Sequence, residues 1–305
     1  MKKIIIYSLL TCLVINPVVF IGFKVNAEQI EKQYKEMGNE KDEIRVSNES
    51  DFINAISSNK TIILTAGKYD LSKIIKTDNK NVSLEYPLVD EQSSIVISNI
   101  RDCCIKGDGT VIIVTPYQYA DVLSFANCNK IKIMDLTLKH VIEKGSCLGD
   151  VIELNHCEDI EIRNCSLDGC GTYGVKAGFC KDILIAGSRI INCSYGAIEI
   201  AANKGTVLIK DNIIIDNKQF DIVNIKSDKI KILNNKISGN IVDCDFSKFI
   251  VLTADLVEFQ NNTIKGNIGL KDGIVIKAPK GVFKDNLLDD NQFIKLLDIP
   301  DNFER

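Results

Sequence analysis

The sequence contains no tryptophan, and only five prolines, three methionines and two histidines among 305 residues. Without Trp it lacks the strongest single side chain for stacking on a sugar ring. So few prolines exclude collagen-like and proline-rich disordered structure. Two His and three Met make a poor copper or zinc surface, although Cys would contribute. No CxxC pair stands with a second pair or with paired histidines, so no structural metal site is expected. Positive charge is also in short supply. Lys and Arg number 37 against 41 Asp and Glu, a net charge of −4. A nucleic-acid binder needs a basic surface to displace phosphate counterions, so nucleic acid is not an expected partner.

What is present begins with a targeting segment. Lys2 and Lys3 precede an apolar run over 4–23, and Val25-Asn26-Ala27 supplies a small residue at a cut position. Residues 1–27 therefore read as a secretory signal peptide, either cleaved or kept as a membrane anchor, with Pro17 interrupting the run. A location outside the cell or in its envelope follows. Residues 28–45 are rich in charge and read as a linker or frayed helix. Next, SNESDFINAISS predicts a short helix capped by Ser47 or Asn48, with Phe52, Ala55 and Ile56 on one face. TIILTAGKYDLS predicts two short strands about a turn at Gly67.

From residue 100 onward the chain repeats itself. An apolar column runs through Ile105, Ile133, Ile162, Ile185, Ile209, Ile232, Phe259 and Phe283, at intervals of 23–29 residues. Five residues later a second column reads Leu138, Leu167, Ile190, Ile214, Ile237, Ile264 and Leu288, broken only by Thr110 in the first segment. Three residues after the first column stand Cys165, Ser188, Asn212, Asn235, Asn262 and Asn286. Eight residues after it stand Cys170, Cys193, Asn217, Asn240, Asn267 and Asn291. Asn at one place in every repeat has two physical uses. It tolerates left-handed backbone at tight bends, and its amide can bond the amide one coil away.

Short strands, fixed bends and a period near 24 predict a coil of three strands per turn, each strand pairing in parallel with its counterpart ~4.8 Å away. On these columns the chain resembles the right-handed parallel β-helix, or pectate-lyase-like, superfamily. The resemblance covers roughly residues 46–300. It implies an all-β solenoid of about eight or more coils, a single domain over 46–305, and an N-terminal capping helix supplied by SNESDFINAISS. It does not carry an activity across. Pectate lyases of this superfamily use clustered Asp for calcium and an Arg base. Here Arg is confined to Arg45, Arg101, Arg163, Arg189 and Arg305, none on the loop-bearing face. The polygalacturonase and alginate-epimerase motifs are absent as well.

Ten cysteines follow the signal. Cys128, Cys157 and Cys180 share one repeat position, and Cys165, Cys170 and Cys193 head the Asn columns, so these six read as stacked core thiols. Cys147 lies in an inserted loop, from which a bridge to Cys170 is the alternative. Of the neighbours Cys103 and Cys104, one is expected inward and one outward.

Three coils are longer than the rest, and their additions fall in VTPYQYAD, KHVIEKGSCLGD and IVDCDFSK, between the second and third strands. Solenoids gather function where coils lengthen on one side. Asp121 and Asp150 align at the start of the third strand, and Tyr173 and Tyr195 open it in the next two coils. Ser124, Glu153, Lys176 and Glu199 are the outward positions beyond. The candidate catalytic residues are thus Asp121, His140, Asp150 and Tyr173, as carboxylates and proton-moving groups. Tyr119, Glu143, Lys144, Glu153, Lys176, Tyr195 and Glu199 would line a ligand face. No cofactor is expected, calcium being the one cation the carboxylates would suit. The expected partner is a polysaccharide or cell-surface molecule, with a membrane engaged only through residues 4–23 if uncleaved. Two functions compete: a non-catalytic binding protein of the cell surface, and a polysaccharide lyase, hydrolase or epimerase. An ordinary solvated face accounts for Glu153, Lys176 and Glu199 singly.

Overall fold

The computed structural model describes residues 42–85, 92–143, 145 and 147–305. The signal segment, most of the charged linker and Lys144 lie outside the described residues. Among those described, no helix is long and apolar enough to cross a membrane.

The polypeptide climbs as a parallel β-solenoid of about eight turns, with one short helix at its start. That helix, Glu49–Ala55, forms where expected. The Asn48 side chain accepts the Asp51 N–H at 2.9 Å, and Phe52, Ile53 and Ile56 bury themselves against the first coil. Two details differ from the sequence-based expectation. Residues 42–45, placed in the linker, belong to the strand Asp42–Val46, which pairs with Lys60–Asp70. Tyr69 Oη donates to the Val46 carbonyl at 2.8 Å and ties it down. Lys60–Asp70 is one strand, with a register shift between Thr65 and Gly67 instead of a turn.

The apolar columns stack as the repeat requires. Ile133 pairs with Ile105 and Ile162, and the series continues through Ile185, Ile209, Ile232 and Phe259 to Phe283. The second column also stays in register from Leu138 to Leu288. Its first member is Ile113, not Thr110. The bend at Gly107–Gly109 is longer than later ones, so the inward residue comes three positions further on.

The Asn columns are hydrogen-bonded ladders. Asn212 donates both its backbone N–H and its Nδ2 to Asn235 Oδ1 at 3.0 Å, Asn235 does the same to Asn262, and Asn262 to Asn286, which ends the ladder. Asn217, Asn240, Asn267 and Asn291 form the second ladder. The left-handed backbone lies one residue earlier, at Asp211, Asn234, Asn261 and Asp285 beside one ladder and at Asp216, Gly239, Gly266 and Asp290 beside the other. Cross-coil bonding therefore explains the ladder Asn, and bend tolerance explains the residue before it.

Five of the six stacked cysteines are buried thiols, while Cys170 is bonded to Cys147. Cys103 belongs to the core. Cys104 points out of it, as expected, in register with Thr61 and Lys132, and is nevertheless buried.

Candidate functional site

Ten strands form the sheet that carries the inserted loops. It runs from Val82–Glu85 through Leu123–Ala126, Ile152–Asn155, Tyr173–Gly178, Gly196–Ala201 and Val223–Lys226 to Leu297–Asp298. The first two inserted loops stack directly. Leu148 N–H donates to the Gln118 carbonyl at 2.7 Å, and Val122 N–H to the Asp150 carbonyl at 3.0 Å. Gly149 is required there, because a Cβ on it would stand 2.0 Å from the Ala120 carbonyl oxygen.

Asp121, Asp150 and Tyr173 occupy one column, two residues ahead of the paired Leu123, Ile152 and Val175. The next member is Gly196, so Tyr195 sits one place earlier than Tyr173 does. Asp121 Oδ1 accepts the Asp150 N–H at 2.7 Å, and Asp150 Oδ1 accepts the Tyr173 N–H at 2.9 Å. Further along, Asp221 Oδ1 accepts the Lys248 N–H at 2.6 Å. Carboxylates here do for the third strand what Asn does at the other bends. Asp121 Oδ2 also accepts from Ser124 Oγ at 2.6 Å, and Thr172 Oγ1 donates to Asp150 Oδ1.

Burial makes these carboxylates unusual. Desolvation, reinforced by Asp150 and Glu153, pushes Asp121 up to about 7. Desolvation also raises Asp150, against the pull of Lys176, whose Nζ lies 3.5 Å from Asp150 Oδ2. Burial would lower Lys176, but Asp150, Glu153, Glu199 and Asp121 around it outweigh that and hold its ammonium charged. Glu153, Lys176 and Glu199 are in register across three coils, an alternating charge ladder as the sequence suggested. Tyr173 is half-buried, and desolvation with Glu199 beside it raises its hydroxyl pKa. Its phenol is a hydrogen-bond donor at neutral pH.

His140 is not on this surface. It is 3% exposed, and its Nε2 lies 2.9 Å from the Ala120 carbonyl oxygen while Nδ1 has no hydrogen-bond partner. Desolvation lowers its pKa, leaving a neutral imidazole. Beside it the Cys147–Cys170 disulfide fastens the second loop to the next coil. A ring nitrogen of His140 and the two sulfurs lie within 4.8 Å of one another. No spacing motif announced this cluster, because the three residues meet only through the loop. Tyr119 is half-buried in the first loop and Glu143 exposed in the second.

Sequence reasoning missed an aromatic cluster. Phe220 stands one coil beyond Tyr195 at the same place, and the rings meet edge to face at 4.8 Å between centroids. Phe246, from the third inserted loop, stacks on Phe220 at 5.9 Å and is 82% exposed. The one available signal was shared position, since Tyr195 and Phe220 each stand one residue before the column of Gly196 and Asp221.

These features belong to a right-handed parallel β-helix repeat protein. The profile of the family described as "Right handed beta helix region" matches residues 150–298. Among solved structures, an alginate lyase from Paenibacillus sp. aligns at 13% identity over 82% of this chain and 97% of its own, with a TM-score of 0.39. A surface adhesin of Streptococcus pneumoniae aligns at 13% identity over 81% of this chain and 80% of its own, TM-score 0.36. A pectate lyase aligns at 8% identity over 81% and 71%, TM-score 0.42. No curated protein matches the sequence. These likenesses concern the fold, and no specific enzyme family is matched.

Proposed function

We propose that the chain is an exported β-helix protein of the cell surface that binds a polysaccharide along its loop-bearing edge, the polymer lying parallel to the solenoid axis. The observation that carries this reading is the sequence of groups along that edge. Glu153, Glu199 and the half-buried Tyr173 stand on the first coils, with Asp121 and Asp150 holding the strands beside them, and the Tyr195–Phe220–Phe246 cluster follows one coil at a time. Coils repeat every ~4.8 Å, close to the rise per sugar of an extended polymer, so successive rings would meet successive coils. Phe and Tyr faces stack on the C–H faces of sugars, and carboxylates accept their hydroxyls. Asp121, Asp150, Glu153, Glu199 and Asp221 outnumber Lys176 and Lys248, which favours a neutral polymer over a polyanion. Export rests on the basic start and apolar run of residues 1–27.

One observation favours a second reading. A carboxyl titrating near 7 beside another carboxylate is what a general acid requires, so Asp121 with Asp150 would serve a hydrolase or lyase. Binding is preferred because both carboxylates are already engaged in holding neighbouring strands. A calorimetric titration with neutral and acidic polysaccharides, with and without calcium, tests the first reading. Mass spectrometry of the same mixtures tests the second. Affinity without new products supports binding. Products lost in Asp121→Asn, but not in Phe246→Ala, would replace it with catalysis.

A further inference from the structure

We propose that Cys147, Cys170 and His140 form, when the disulfide is reduced, a buried site for one monovalent thiophilic ion, Cu(I). The three ligand atoms already lie within 4.8 Å of one another. Bonds of about 2.3 Å to sulfur and 2.0 Å to nitrogen place two ligands of one d10 ion at most about 4.6 Å apart. The sulfurs must separate from bonding distance, and the ring nitrogen need approach them by no more than about 0.5 Å. The second inserted loop can absorb that movement. Gly145 is left-handed with nothing within 4 Å of a would-be Cβ, and Val141 and Leu148 are exposed on either side of it.

His140 supplies the second observation. It is buried, one ring nitrogen faces the Ala120 carbonyl, and Nδ1 has no hydrogen-bond partner. A buried donor or acceptor left unpaired is costly, and a ligand bond would recover that cost. Thiolates select soft ions, and with three buried protein ligands Zn(II) would need a water to complete its tetrahedron, whereas Cu(I) would not. A low-coordination ion therefore fits better than Zn(II). The chemistry balances with a dithiol reductant. It donates two electrons and two protons, the Cys147–Cys170 bond breaks to two thiols, and the reductant closes its own disulfide. On binding, both thiols release their protons to solvent, and Cu(I) is held by two thiolates and neutral imidazole. Disulfide and metal are then alternative ways of closing the same loop.

The test compares the unmutated protein in two states. Oxidised protein and protein reduced anaerobically are offered Cu(I) as its bicinchoninate complex, and the copper transferred is counted. The remaining thiols are common to both states. Reduced protein is expected to take about one equivalent more than oxidised protein, with unchanged circular dichroism. Cys147→Ser should abolish the difference, and His140→Ala should weaken the extra site at least tenfold. X-ray absorption of the loaded protein should show two sulfurs and one nitrogen. Equal uptake in the two states, an undiminished difference in Cys147→Ser, loss of fold on reduction, or an all-sulfur shell would each overturn the proposal.

Discussion

Asp121 Oδ1 accepts the backbone N–H of Asp150 at 2.7 Å across one coil, and Asp150 does the same for Tyr173. The bond gives a half-buried acid a structural task on an edge otherwise suited to ligands. It also links that edge to pH. Asp121 is raised to about 7 from an ordinary value near 3.9, so the folded protein holds a proton there that the unfolded chain releases. Stability is therefore greatest below about pH 4 on this account, and falls as pH rises from about 4 to 7. The loss expected is about 4 kcal/mol over that whole range, at about 1.4 kcal/mol per pH unit. Asp121→Asn keeps the acceptor and removes the titration. Urea midpoints at pH 5 and pH 8 should differ in the natural protein and differ less in the variant, where only Asp150 still titrates. An unchanged slope in the variant would place the titration elsewhere.

The Asn ladders should dominate stability in the C-terminal half. Asn235 accepts from Asn212, donates to the Ile209 carbonyl at 2.9 Å and donates to Asn262, all while 1% exposed. Asn235→Ala leaves several buried groups unpaired and should cost about 2–4 kcal/mol. Asn286, at the end of the same ladder and half-buried, should cost about 1 kcal/mol. Equal losses at the two positions, read from urea unfolding, would show that the ladder is not cooperative.

Peptide mapping of unreduced protein should recover Cys147 linked to Cys170, with Cys103, Cys128, Cys157, Cys165, Cys180 and Cys193 alkylated only after unfolding. The bridge closes a loop of 23 residues, worth about 3 kcal/mol in the chain-entropy account. Cys147→Ser should lower stability by up to that amount. It should also loosen the contact between Leu148 and Gln118, measurable as faster amide exchange at Leu148.

The solenoid was legible in the sequence because each coil repeats the same inward positions, so Ile133 and Leu138 announce the next six coils. Irregular coils were less legible. The longer bend at Gly107 moved the inward residue from Thr110 to Ile113, which no repeat spacing encodes. Of the candidate site, Asp121, Asp150, Glu153, Lys176 and Glu199 fell where their alignment placed them. His140 did not reach the surface, because burial against the disulfide depends on how the second loop folds back. Phe220 and Phe246 escaped notice because one ends a short bend and the other lies at a loop tip, outside any column.

The most direct test of the proposed role is the affinity of a neutral polysaccharide for the natural protein, for Phe246→Ala and for Phe179→Ala. Phe246 is 82% exposed at the aromatic end of the loop-bearing edge. Phe179 is 65% exposed and stacks on His156 at the opposite end of its strand. Neither substitution should alter stability by more than about 0.5 kcal/mol. Binding along the loop-bearing edge predicts at least a tenfold loss in Phe246→Ala and none in Phe179→Ala. Absence of binding to every polymer, or a loss confined to Phe179→Ala, would contradict it.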